Sequence, residues 1–145
     1  MDFMSALDIG ASGLKAQRSH LNVISMNLAN ARTTRTIAGG PYQRKSVSFE
    51  SSPVYSPFDK AMNDQMNRDL QGVRVNGVTV DQRPFKEVYE PGHPDANAQG
   101  FVYYPDINVV EEMTNMITAT RGYEANVQTI QSAKSMFNKA LTIGQ

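Results

Sequence analysis

The sequence predicts a mainly α-helical protein with a small β part. Long N- and C-terminal helices are expected to pair as an antiparallel coiled coil, with a Pro/Gly-rich segment and a small β-sheet region between them. Three observations carry this. All seven prolines fall between Pro41 and Pro105, so neither end contains a helix breaker. Apolar residues recur at helical spacing in both ends. Short runs rich in Val, Phe and Tyr, bounded by Gly, Pro and Asn, lie in the middle. The chain therefore divides into a terminal helical unit, residues 1–31 with 106–145, and a middle segment, residues 32–105.

In the first helix Leu7, Leu14, Leu21 and Leu28 recur every seven residues and form one stripe. Ile9, Ala16 and Val23, also spaced by seven, form a second stripe on another side. A helix apolar on two sides needs more than one neighbour. Gly10 and Gly13 each lower helix propensity by about 1 kcal/mol relative to Ala, and either permit close backbone approach or leave that end frayed when unpartnered. Asn22, Asn27 and Asn30 must face water or find hydrogen-bond partners.

The middle segment opens with a strand over Tyr42–Phe49, followed by a loop punctuated by Ser51-Ser52-Pro53 and Ser56-Pro57. Phe58, Met62, Met66 and Leu70 at four-residue spacing predict a short amphipathic helix over 57–71, stopped by Gly72. Val73–Val80 has two readings. It is a hairpin turning at Asn76-Gly77, or one longer strand with Gly77 at a bend or bulge. Phe85–Tyr89 and Phe101–Tyr104 complete the strands.

The C-terminal helix carries the cleanest pattern. Val109, Met113, Met116, Thr120, Tyr123, Val127, Ile130, Lys134, Phe137 and Leu141 alternate spacings of four and three, and only Thr120 and Lys134 are not apolar. That is a coiled-coil seam or a long bundle helix. Asn108 with Glu111 three residues on fits its N-cap, and Gly144 its stop. The seam is expected to join the two ends as a hairpin. The leftover faces, Ile9/Ala16/Val23 and Ala119/Ala133/Ala140, then call for further copies or partners. The candidate assembly interface is thus Leu7, Leu14, Leu21, Leu28, Ile9, Val23, Asn27 and Asn30 on the first helix. On the second it is the eight apolar seam residues, from Val109 to Leu141.

Composition excludes several classes of function. Fourteen Lys and Arg balance fourteen Asp and Glu, and no clustered basic helix offers a nucleic-acid surface. There is no cysteine, hence no disulfide, thiolate nucleophile or Cys-ligated zinc. No apolar run is long enough to span a membrane, and the N-terminus lacks the basic region of a secretory signal. Glu90-Pro-Gly-His93-Pro-Asp95 is the one stretch resembling a site. It has no third ligand or nucleophile, and reads as a structural turn. No catalytic, cofactor or metal residues are expected. Residues 1–45 carry +4 and the remainder −4, which is either ordinary scatter or a sign of contact between the basic N-terminal part and acidic surface on the same or a neighbouring chain.

Ser12-Gly13-Leu14-Lys15-Ala16 and the run from Leu21 to Asn30 (LNVISMNLAN) resemble the N-terminal signature of bacterial flagellar rod and hook proteins. Arg32 stands where the family pattern usually has asparagine. Gly39-Gly40-Pro41-Tyr42-Gln43-Arg44, Val88–Ala96 (VYEPGHPDA), Gly100–Pro105 (GFVYYP), Asn108–Met113 (NVVEEM) and Arg121–Asn126 (RGYEAN) are similar to the proximal rod proteins within it. Gly122 replaces a frequent alanine. The resemblance implies a structural subunit of the basal-body rod that crosses the periplasm, exported by the flagellar type III apparatus. It implies helical assembly through the terminal helices around the export channel. The partners implied are other copies, other proximal and distal rod proteins, and the rod-to-ring adaptor. Periodicity alone also fits a non-polymerising helical adaptor or regulatory protein that binds one partner helix.

Overall fold

The computed structural model describes residues 3–54 and 70–143. Its elements run α1 (Phe3–Ala29), β1 (Lys45–Pro53), β2 (Gln71–Val80), β3 (Lys86–Tyr89), β4 (Phe101–Tyr104) and α2 (Val109–Ile143). The protein is mainly helical with a small β part. The short helix expected over 57–71 lies outside the described residues, except for its last two positions; of these Gln71 opens β2.

The two long helices lie against each other in opposite sequence order. Phe3 stacks on Phe137 with ring centroids 4.3 Å apart. Gly10 faces Ile130, Gly13 faces Asn126, and Gln17 covers Gly122. At the far end Asn27 bonds to Glu112. A Cβ added at Gly10 would sit 2.8 Å from Ile130 Cγ1, and one at Gly13 2.8 Å from Asn126 Nδ2. These glycines therefore set how closely the helices approach, which offsets their helix-propensity cost.

β1 and β2 form an antiparallel ribbon that packs on another side of α1. Its register shifts at one point: Ser48 pairs with Gly77 but Phe49 with Val75, leaving Asn76 as the extra residue. Of the two readings of Val73–Val80, the single strand with a bulge at Asn76-Gly77 is the one that forms. A hairpin here would have had three-residue arms, whereas β1 supplies partners for the whole strand. β1 also runs through Ser51-Ser52-Pro53, expected as a loop. Pro53 is tolerated because it ends the strand, where a missing N–H breaks no ladder. The ribbon answers the two-stripe problem of α1: one side of the helix meets α2 and the other meets the sheet.

β3 and β4 form a separate antiparallel hairpin. Its loop is closed by Glu90 N–H to Gly100 O (2.9 Å), and the Asn97 side chain accepts from the Gln99 and Phe101 amides. Gly100 has φ +83° and lies under the Tyr89 ring, so both backbone and space require glycine there. The His93/Asp95 pair is part of this loop. His93 Nδ1 accepts from the Asp95 amide, and Asp95 Oδ2 accepts from Thr34 Oγ1. It is a structural turn tied to the segment after α1.

Candidate assembly interface

The most buried face of α2 against α1 lies beside the four-three seam, although Ile130 and Phe137 of the seam also touch α1, at Gly10 and Phe3. That face carries Glu112, Ala119 and Ala133, all buried, with Gly122 and Asn126 between them. Each of these precedes a seam position by one residue, a rotation of about 100°. On α1 the buried positions are Gly10, Ala16, Val23, Ile24 and Asn27. The expectation that Ala16/Val23 and Ala119/Ala133 would be left for other copies is therefore corrected: they close the subunit's own interior. The reason is geometric. Small side chains let the backbones approach, and the larger seam residues are displaced to the flank.

The seam itself stays largely in solvent. Val109 is 45% exposed, Met113 54%, Tyr123 37%, Phe137 41% and Leu141 56%, while Met116, Val127 and Ile130 are half-buried. Leu7, Leu14, Leu21, Leu28 and Ile9 on α1 are half-buried as well. Val23 and Asn27 are turned wholly inward. Asn30 is half-buried and closes the end of α1, donating to Met26 O (2.8 Å) and accepting from Thr33 Oγ1.

A buried polar latch holds the helices and β1 in register. Glu112, 1% exposed, accepts from Arg44 Nε (2.8 Å) and Nη2 (2.6 Å) and from Asn27 Nδ2 (3.1 Å). Asn27, equally buried, also donates to Lys45 O (2.8 Å), and its Oδ1 accepts from Lys45 N–H and from Tyr42 OH. Asn27 thus satisfies the first backbone groups of β1, where no strand partner exists on that side. Arg44 further approaches Asp81 (3.7 Å) and Glu111 (3.9 Å). Burial pushes the Tyr42 hydroxyl above its ordinary pKa, and Glu112 adds to the rise. Burial also lowers the His20 imidazole below its ordinary value, with the Glu112 charge opposing it. The charge split of the sequence is met within the chain by Arg44 with Asp81, Glu111 and Glu112, and by Arg35 with Asp95 (3.9 Å). The sequence marked Asn27 as needing partners but gave no sign of Arg44 or Glu112. In sequence Glu112 is one more carboxylate in the first turn of a helix, and only the fold brings Arg44 over it.

No helix among the described residues is long and apolar enough to cross a membrane, and no cluster of three metal-ligating side chains occurs among them. What the geometry presents is a mainly apolar, partly exposed seam about 50 Å long on a helix paired with α1. Comparison with known proteins places both ends of the chain in one class. Residues 7–35 match the family described as flagella basal body rod protein, and residues 98–143 match the flagellar basal body rod FlgEFG protein C-terminal family. Both ends of the chain are thus similar in sequence to flagellar rod proteins.

Full-length relatives narrow this. The chain is 43% identical to flagellar basal-body rod protein FlgC of Borreliella burgdorferi, covering 100% of this chain and 99% of that one. It is 41% identical to the FlgC proteins of Bacillus subtilis and Salmonella typhimurium, over the whole of both chains in each case. The chain belongs to the FlgC family of flagellar basal-body rod proteins. It is a structural component of the basal-body rod, not an enzyme.

Proposed function

We propose that this chain is a proximal-rod subunit that assembles helically through its paired terminal helices, using the seam of α2 together with the leucine stripe of α1. In the assembly these helices make coiled-coil contacts with neighbouring subunits and line the export channel. The rod so built crosses the periplasm and transmits motor torque. Subunits reach it through the flagellar type III apparatus. The neighbours are other copies, other proximal and distal rod proteins, and the rod-to-ring adaptor.

The observation that carries this reading is the exposure of Val109, Met113, Tyr123, Phe137 and Leu141 in a subunit whose helices are already paired. Large apolar side chains left in water along one side of a finished fold mark a surface that is covered elsewhere.

Tyr123→Asp tests it. The position is more than a third exposed, so the isolated subunit should keep its fold and melting temperature. In a packed seam the new carboxylate would have no partner and would block incorporation. The expected result is soluble, folded subunit and non-motile cells without rods. Normal rods built from this variant would refute the proposal.

A further inference from the structure

The ladder between β1 and β2 fixes which backbone groups of β2 turn away from its partner. Asp81 N–H donates to Arg44 O at 2.8 Å, so the bonded pairs alternate to Thr79/Ser46 and Gly77/Ser48. Beyond the bulge Val54 N–H donates to Leu70 O at 3.3 Å, which puts the bonded pairs at Gly72/Ser52 and Arg74/Glu50. Val80, Val78, Val75 and Val73 therefore point their N–H and C=O groups away from β1. Two side chains confirm the alternation. Ser12 Oγ accepts from the Val73 amide at 3.1 Å, and on β1 Lys45 turns both its backbone groups to Asn27. At Val75, Val78 and Val80 the outward groups have no partner among the described residues.

An open edge is a template for another strand, and proteins commonly blunt such edges with charge or proline. From Val75 to Val80 there is neither, and Val78 and Val80 are 49% and 45% exposed. The bulge decides what fits. It moves the outward positions from every second residue to Val75 and then Val78, so a regular extended strand falls out of step across it. A second copy of β2 running antiparallel carries the same irregularity at the same level. Val75 then faces Val78 of the second copy, Val73 faces Val80, and Arg74 faces Thr79. Valine meets valine throughout, and no like charges are opposed.

We propose that two copies of this chain pair edge to edge through β2 in solution, about a two-fold axis at Asn76-Gly77. Val75 and Val78 exchange backbone bonds across the axis, and the two ribbons become one four-stranded sheet. Ser12 holds the Val73 amide and so ends the pairing on each side. Such a contact uses the same patch on both copies and closes on itself, so it stops at a dimer and does not propagate. It uses neither the α2 seam nor the leucine stripe of α1, and goes beyond the assembly reading above.

The test uses full-length chain carrying Tyr123→Asp, so that the seam does not contribute. Sedimentation equilibrium over a concentration series should show reversible monomer and dimer and nothing larger. Val78→Lys places a charge on both sides of the axis, so the contact feels it twice. The dissociation constant should rise about tenfold or more, with the circular dichroism spectrum unchanged. Monomer at every concentration, or a dimer that Val78→Lys leaves as tight as before, would overturn the proposal. Should Val78→Lys disturb the ribbon itself, a cross-link decides, because the chain has no cysteine of its own. Asn76→Cys puts one thiol beside the axis, and oxidation should join two copies. Ser48→Cys puts it on β1, three strand spacings or about 14 Å from its counterpart, beyond disulfide reach. Equal dimer yields from the two thiol variants would refute the edge contact. None of these results bears on the seam, which rod formation by the Tyr123→Asp variant tests separately.

Discussion

Replacing Glu112 by alanine should cost about 3 kcal/mol of stability. Removing one partner of a buried ion pair typically costs about 3–5 kcal/mol, because the other charge is left uncompensated. Two features of the latch soften this. Arg44 is 20% exposed, and Asp81 and Glu111 stand within 3.7 and 3.9 Å to take up part of its charge. Against that, Asn27 loses an acceptor at 3.1 Å while wholly buried, adding about 1 kcal/mol. Urea titration at neutral pH, followed by far-ultraviolet circular dichroism, reads the difference. A cycle with Arg44→Ala separates the pair's coupling from the individual truncations. Coupling above about 1.5 kcal/mol is expected. If the two truncations proved additive within about 0.5 kcal/mol, the latch would not be what ties α2 to β1, and the register argument built on it would fail.

Three further outcomes follow from the same geometry. Gly10→Ala gains about 1 kcal/mol of helix propensity but forces a Cβ to 2.8 Å from Ile130, so thermal melts should show a net loss of about 1 kcal/mol that Ile130→Ala in the same chain reduces. The folded-state pKa of His20 is depressed, chiefly by burial, so the folded protein binds fewer protons than the unfolded chain. Its contribution is neutral above the ordinary value of 6.5 and turns destabilising as pH falls below it; urea midpoints from pH 7.5 to 5.5 should drop, and His20→Asn should flatten that dependence. Asn108→Ala removes the side chain that accepts from the Val110 and Glu111 amides, and should cost about 1 kcal/mol in the same assay while leaving incorporation into rods intact.

Much of the architecture could be read from periodicity. The 35-residue helix over Val109–Ile143 and its Asn108 cap follow from local patterns that need no distant partner, and so does a strand through Lys45–Phe49, although β1 begins three residues later than the expected Tyr42. What periodicity could not decide was which face of each helix turns inward. A stripe of Val, Met, Tyr and Phe is the stronger hydrophobic signal, so it looks like the interior of the subunit. The fold instead buries alanines and glycines, because small residues allow a close backbone approach whose benefit no hydropathy pattern records. The double stripe of α1 did signal a second neighbour, and the ribbon is that neighbour. The latch was invisible for another reason. Arg44 and Glu112 are 68 residues apart, and a buried charge is indistinguishable in sequence from a solvated one. The bulge at Asn76 was ambiguous because the same dipeptide serves a hairpin turn and an irregular strand, and only the partner β1 chooses between them.

The central claim is that the α2 seam is open to solvent in the free subunit and covered in the rod. Tyr123→Cys supplies a single thiol in the middle of that seam. Its rate of maleimide labelling would be measured in purified subunit and in isolated basal bodies. Fast labelling of the free protein and strong protection in the basal body is the predicted result; equal rates in the two would contradict it.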